Sequence, residues 1–262
     1  MSESPILLDV ADGIARLTLN RPDVGNAIDL ALARSLLEAA IRCQTDDAIR
    51  CVVLTGRGRL FCAGGDVGQM AAAGERADAL LSELAGTLHM SMVRLARMKK
   101  PLVVLVNGPA AGAGLSLAIS GDVVLSVPTA HFTAAYGAIG LTPDGGMSWL
   151  LPRLVGLRKA QEIILANRRI EAPEAEAIGL VSRLVEADRL TEEGDAIATQ
   201  FADAAVGAVG GARALLHHSF DSSYEAQLER EAQSIAEAGA TAECREGLAA
   251  FFAKRKADFR SV

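Results

Sequence analysis

Residues Lys100–Asp122 read KPLVVLVNGPAAGAGLSLAISGD. Leu102–Val106 is an unbroken apolar run, too short for a helix and without the polar alternation of a half-wetted strand, so it predicts a strand buried on both faces. A glycine-rich loop follows directly at Asn107–Gly114. Glycine after a strand lets backbone N–H groups approach a ligand closely, and a helix start beyond it adds the positive end of a dipole. The same order occurs upstream, where the apolar run Cys51–Leu54 leads into Leu54–Asp66, LTGRGRLFCAGGD. Two such loops facing each other make an oxyanion hole; two tight turns without a chemical role are the alternative.

Outward from these runs, Ile6–Val10 and Ile14–Asn20 alternate with period 2 around a short turn and predict an opening hairpin. Asp29 then stands where an N-cap belongs, before Leu30–Cys43, in which Leu32, Leu36, Leu37 and Ile41 follow helical spacing. A long helix is expected over Glu75–Met98, with Leu80, Leu84, Leu88 and Leu95 on one side, and a further buried strand at Val123–Val127. Strand, helix, strand, helix, strand is an α/β order. After Leu190 the strand signal ends, and Glu192–Phe201, Ala204–Phe220, Tyr224–Gly239 and Ala242–Lys256 all read as helix. The expected division is a core over residues 1–190 and a helical region over 191–262, the latter too small to bury its own faces unless it packs on the core or on another subunit. No repeat of fixed period is visible.

Composition narrows the function. With 26 basic against 32 acidic side chains the net charge is −6, and 50% of residues are hydrophobic. Disorder is excluded, and an acidic balance argues against nucleic acid or an anionic membrane as partner. Met1–Gly13 shows no signal-peptide pattern and no window is apolar enough to span a bilayer. Cys43, Cys51, Cys62 and Cys244 form no CxxC pair, and the histidines build no zinc-type cluster, so reduced thiols, a cytoplasmic location and no metal are expected. No G-K-[ST] follows either glycine loop, and GPAAGAG lacks dinucleotide-loop spacing. Ser116 lies too far beyond the strand end near Asn107 to sit on a nucleophile elbow.

Six segments together resemble the crotonase (enoyl-CoA hydratase/isomerase) superfamily. They are LTLNRPDVGNAI from Leu17, VVLTGRGRLFCAGGDV from Val52, the Lys100–Asp122 stretch, GLTPDGGMSWLLPRLVG from Gly140, AIGLVSRLV from Ala177 and FFAKRKADF from Phe251. The resemblance implies a spiral of ββα turns with a C-terminal helical trimerisation region, a homotrimer or dimer of trimers, and an acyl-CoA thioester as substrate. Coenzyme A would enter as part of that substrate, with no separate cofactor. The backbone amides of Gly65 and Ala113 would form the oxyanion hole. Val24, Ala27, Ala63, Asp66 and Val67 match positions around the adenine and the pantetheine entrance. Arg21, Arg57, Arg59 and Lys254, the last from a neighbouring subunit, are candidate cations for the phosphates.

One departure stands out. Hydratases of the family use two glutamates, and the matching places here hold Ser116 and Tyr136, neither of which is a carboxylate base. Asp144, in LTPDGG, instead matches the single acid of the family's enoyl-CoA isomerases and of its ring-epoxide isomerases. One carboxylate that removes and returns a proton suffices to move a double bond. The alternative is that Asp144 only caps the helix beginning GGMSWLLPRL. His89 lines the acyl pocket by resemblance. With Asp144 and Tyr136 it also matches three catalytic places of aryl-CoA dehalogenases, although a Trp belongs where Tyr136 stands. His131, His217 and His218 are read as structural. The expected activity is therefore acyl-CoA isomerisation. Hydratase-like lyase activity, aryl-CoA dehalogenation and a catalytically poor acyl-CoA-binding subunit are the alternatives.

Overall fold

A computed structural model describes residues 3–262; Met1 and Ser2, part of the start without a signal pattern, lie outside them. Ile6–Ala11 (β1) and Ile14–Leu19 (β2) pair antiparallel, with Ile6 opposite Leu19. Asp12 and Gly13 turn the hairpin at φ 52° and 76°, the left-handed pair that short hairpins favour. The Asp29 carboxylate accepts from the Leu32 N–H at 2.8 Å and caps Leu30–Thr45 (α1), as its position predicts.

The chain then repeats one excursion. Cys51–Gly56 (β3) leads to Val67–Ala73 (α2) and Ala77–Arg97 (α3). Leu102–Val106 (β4) leads through Ala110–Ala111 (β5) to Ala113–Ala118 (α4), and Val123–Ser126 (β6) leads through His131–Thr133 (β7) to Met147–Val155 (α5) and Leu157–Leu165 (α6). Ile170–Glu171 (β8), Ala172–Ala177 (α7) and Arg183–Leu184 (β9) close the series. Six strands form the main sheet in the order β1-β2-β3-β4-β6-β9, parallel throughout except for the hairpin. Three short strands form a second layer, β5-β7-β8, which single bridges of Cys62 to Ala110 and of Gly65 to Ile28 extend. Each turn runs along the main sheet, crosses to the second layer and returns by helix. This is the spiral that the resemblance implied. Its helical part is six residues in α4 and 21 in α3, so the repeat has no constant length for the sequence to display.

Burial explains the apolar runs. Every residue of β4 is buried, and α1 packs Leu32, Leu36 and Ala40 against the same core. Burial also pushes the thiols of Cys43 up to about 11 and those of Cys51 and Cys62 up to about 12, which leaves them as packing groups.

The helical region starts on the core. Leu190–Asp203 (α8) lies against β3 and β4. Val206–Ser219 (α9) is held by Arg213, whose Nε donates to both Asp122 oxygens at 2.7 Å while Nη1 donates to the carbonyls of Ala96 and Met98. Tyr224–Gly239 (α10) and Ala242–Phe252 (α11) lie outermost, and α10 has no buried residue. The last helix stops short of the expected Lys256 because the backbone turns left-handed at Lys254, φ 52°. Among the described residues no helix is long and apolar enough to cross a membrane.

Candidate active site

The loops that leave β3 and β4 emerge side by side because the strands are parallel neighbours. The Ala111 N–H donates to the Cys62 carbonyl at 2.9 Å, which ties the two loops together. Gly64 makes the approach possible. At φ 95°, a Cβ there would stand 2.8 Å from the Ala111 carbonyl oxygen. Just beyond, the N–H groups of Gly65 and Ala113 have no acceptor among the described residues. Their neighbours are committed: the Gly64 carbonyl accepts from Ile28 and the Asp66 N–H donates to Ile28. Ala113 is the first residue of α4, where an N–H has no partner within the helix.

Gly65 and Ala113 both line a cavity of about 190 Å³. Its walls are mostly apolar, with Ile28, Leu84, Leu88 and Leu141 among them, and Asp144 is its one carboxylate among the described residues. The Asp144 side chain is held on two sides. The Tyr136 hydroxyl donates to Oδ1 at 2.6 Å, and His89 Nε2 lies 3.6 Å from Oδ2. That same Nε2 accepts the Gly145 N–H at 2.9 Å, which puts the ring proton of a neutral His89 on Nδ1. Ser116, buried behind the cavity, donates its hydroxyl to the Asp144 carbonyl oxygen at 2.9 Å. Burial, and then the Asp144 charge, hold the Tyr136 proton on well above the usual phenol range, so this hydroxyl is a donor throughout ordinary pH. Tyr136 is aimed by a strained step before it: Ala135 sits at φ 64° with its N–H on the Asn167 side chain at 2.7 Å.

Asp144 does not cap the following helix. The N-cap of α5 is Gly146, and no side chain accepts from its first turn. Gly145 and Gly146, at φ 61° and 80°, carry the chain past Asp144 so that its carboxylate turns into the cavity rather than along the helix axis.

The positions matched to coenzyme A lie on the turn before α1 and at the start of α2. Val24, Ala63 and Val67 are exposed there and Ala27 is buried. The Ala63 carbonyl has no donor among the described residues. Asp66 caps α2 and pairs with Arg21, which also pairs with Asp29 at 3.1 Å. Arg21 is thereby committed within the fold, and Arg57 bonds Asn20 and Glu3. Lys254 is exposed at the far end of α11, and His131, His217 and His218 do not line the cavity. Sequence reading did not single out these cavity walls: Ile28, Met70, Leu81, Ala85, Leu141 and Thr142. The stripe of leucines at helical spacing in α3 was a signal for Leu81 and Ala85 alone, and the other four come from segments whose meeting no local pattern shows.

The comparisons agree with this geometry. The family model described as enoyl-CoA hydratase/isomerase matches residues 9–262. The 1,2-epoxyphenylacetyl-CoA isomerase of Escherichia coli K12 is 34% identical over 97% of both chains. A 4-chlorobenzoyl coenzyme A dehalogenase of an Arthrobacter species is 35% identical over 89% of this chain and 85% of its own. The crystal structure of an enoyl-CoA hydratase from Polaromonas sp. JS666 superposes with a TM-score of 0.92 at 30% identity, covering 97% of this chain and 98% of that one. With its spiral of two sheet layers, its paired free amides and this match over nearly its whole length, the chain belongs to the enoyl-CoA hydratase/isomerase family, the crotonase superfamily.

Proposed function

We propose that the protein is an acyl-CoA isomerase that moves a double bond, or a ring-derived unsaturation, through a thioester enolate. The observation that carries the reading is the single carboxylate, Asp144, in a cavity that the free amides of Gly65 and Ala113 also line. Asp144 takes a proton from the carbon beside the thioester carbonyl of a 3-enoyl-CoA. The electron pair moves onto the carbonyl oxygen, where the two N–H groups meet it. As the enolate collapses, the same carboxyl returns the proton to the fourth carbon, leaving a 2-enoyl-CoA. Tyr136 and Ser116 fill the two places that carry hydratase glutamates, and both hydroxyls hold Asp144 instead of a water. Coenzyme A would lie along Val24, Ala27, Ala63, Asp66 and Val67, with Lys254 supplied by a neighbouring subunit.

The test compares two conversions by the purified protein. Isomerisation of 3-hexenoyl-CoA well above hydration of 2-hexenoyl-CoA supports the reading, and the reverse ranking replaces it with a hydratase. Acyl-CoA binding without either conversion replaces it with a binding subunit. The flanking of Asp144 by His89 favours a second reading, aryl-CoA dehalogenation, for which chloride release from 4-chlorobenzoyl-CoA is the assay.

The same proposal includes a homotrimer or a dimer of trimers. Leu216, Ile235, Phe251 and Phe252 on α9, α10 and α11 are each at least 70% exposed, an apolar surface that a lone chain would leave wet. Sedimentation is expected to give a multiple of three chains, and cutting the chain after Phe220 to give aggregates. A soluble, active monomer from that truncation contradicts it.

A further inference from the structure

The cavity also carries information about what enters it. A cavity of about 150 Å³ lined by Leu, Ile and Phe holds one benzene molecule. The present one, at about 190 Å³, must take the thioester carbonyl end of the substrate as well as the acyl carbons. Its inner wall cannot retreat. Ile28, Leu84 and Leu88 are at most 7% exposed, so each is backed by packed core on its far side. Leu81, Leu84, Ala85 and Leu88 fall on one stripe of α3, so a single rigid helix face sets the depth. Among the described residues no cation lines the cavity, and Asp144 is the only charged residue that does. A carboxylate at the end of the acyl group would lose its water beside a like charge.

We infer that the substrate's acyl group is an uncharged, compact hydrocarbon, about the size of one six-membered ring or a six-carbon chain, and that Leu84 and Ala85 of α3 set this limit. The inference names the substrate class of the site proposed above. Its chemistry rests on the isomerase reading, whereas its size and charge limits rest on the cavity alone.

Saturated thioesters, which cannot isomerise, separate the two. Calorimetric titration is expected to show hexanoyl-CoA and phenylacetyl-CoA binding at least about tenfold more tightly than decanoyl-CoA, and hexanoyl-CoA likewise more tightly than the carboxyl-ended adipoyl-CoA. Decanoyl-CoA or adipoyl-CoA binding as tightly as hexanoyl-CoA overturns the inference, whatever the isomerase assay gives. If the binding order holds and no 3-enoyl-CoA is converted, the isomerase reading fails and the size limit stands. Leu84→Ala, which adds room, should narrow or reverse the hexanoyl-to-decanoyl preference. Ala85→Leu, which removes room at a half-buried position, should weaken hexanoyl-CoA binding about tenfold or more while free coenzyme A binds as before. If Leu84→Ala does not fold, Ala85→Leu decides alone: unchanged hexanoyl-CoA affinity there refutes the role of α3.

Discussion

Asp144→Asn is expected to lower isomerisation of 3-hexenoyl-CoA by roughly 100- to 10,000-fold, the range typical of a lost general acid/base. The amide keeps the size of the side chain and still offers an oxygen to the Tyr136 hydroxyl, but it cannot carry the proton between carbons. Because Asp144 caps no helix, nothing in the first turn of α5 loses a partner, and the melting temperature should change little. Acyl-CoA affinity should persist, since the thioester oxygen still meets the Gly65 and Ala113 amides. Tyr136→Phe serves as the comparison. It removes the hydroxyl that holds Oδ1 but leaves the carboxylate itself, so the rate should fall by less than in Asp144→Asn. Rates of the parent and both variants, with thermal melts, check this. An Asp144→Asn protein as active as the parent would remove Asp144 from the chemistry.

The second large effect is expected at a backbone atom. Ala113→Pro deletes one of the two proposed oxyanion donors without changing the polarity of any side chain, and loss of one such donor costs about 100- to 1,000-fold in kcat. The position favours the experiment. Ala113 is the first residue of α4, where the proline ring's fixed φ suits a helix and no intrahelical hydrogen bond is given up. Its amide also has no other acceptor among the described residues, so the loss should fall on the substrate oxygen rather than on the fold. Ala113 is 5% exposed, however, and the added ring atoms must find room beside the cavity. Circular dichroism and melting therefore accompany the rate measurement. A folded Ala113→Pro protein with near-parental turnover shows that this amide does not hold the oxyanion.

Both effects depend on features with different visibility in the chain. The strands were legible because a segment covered on both faces must be apolar throughout, as Leu102–Val106 is, and the cap at Asp29 was legible because an N-cap acts within its own turn. The glycine loops were legible as loops, and their order along the chain carried the family resemblance. The candidate catalytic groups were named as isolated positions. What they do to one another was not, since Tyr136, Ser116 and His89 lie on three different elements, and a distance such as the 2.6 Å from Tyr136 to Asp144 exists only after those elements pack.

The sequence by itself determined the α/β class, the approximate place of its longer elements, the two glycine loops that bear the free amides, and that positions 116 and 136 hold Ser and Tyr rather than carboxylates. Each is a matter of local pattern or of residue identity. Only the tertiary structure decided that Asp144 faces the cavity instead of capping α5, because two left-handed glycines redirect the chain beyond it. It likewise committed Arg21 to Asp29 and Asp66, an arrangement that joins residues of separate turns of the spiral. The size of the acyl cavity belongs to the same group. It is the space left between α3, the Ile28 segment and the loop bearing Asp144, and a volume between packed elements is written in none of them separately.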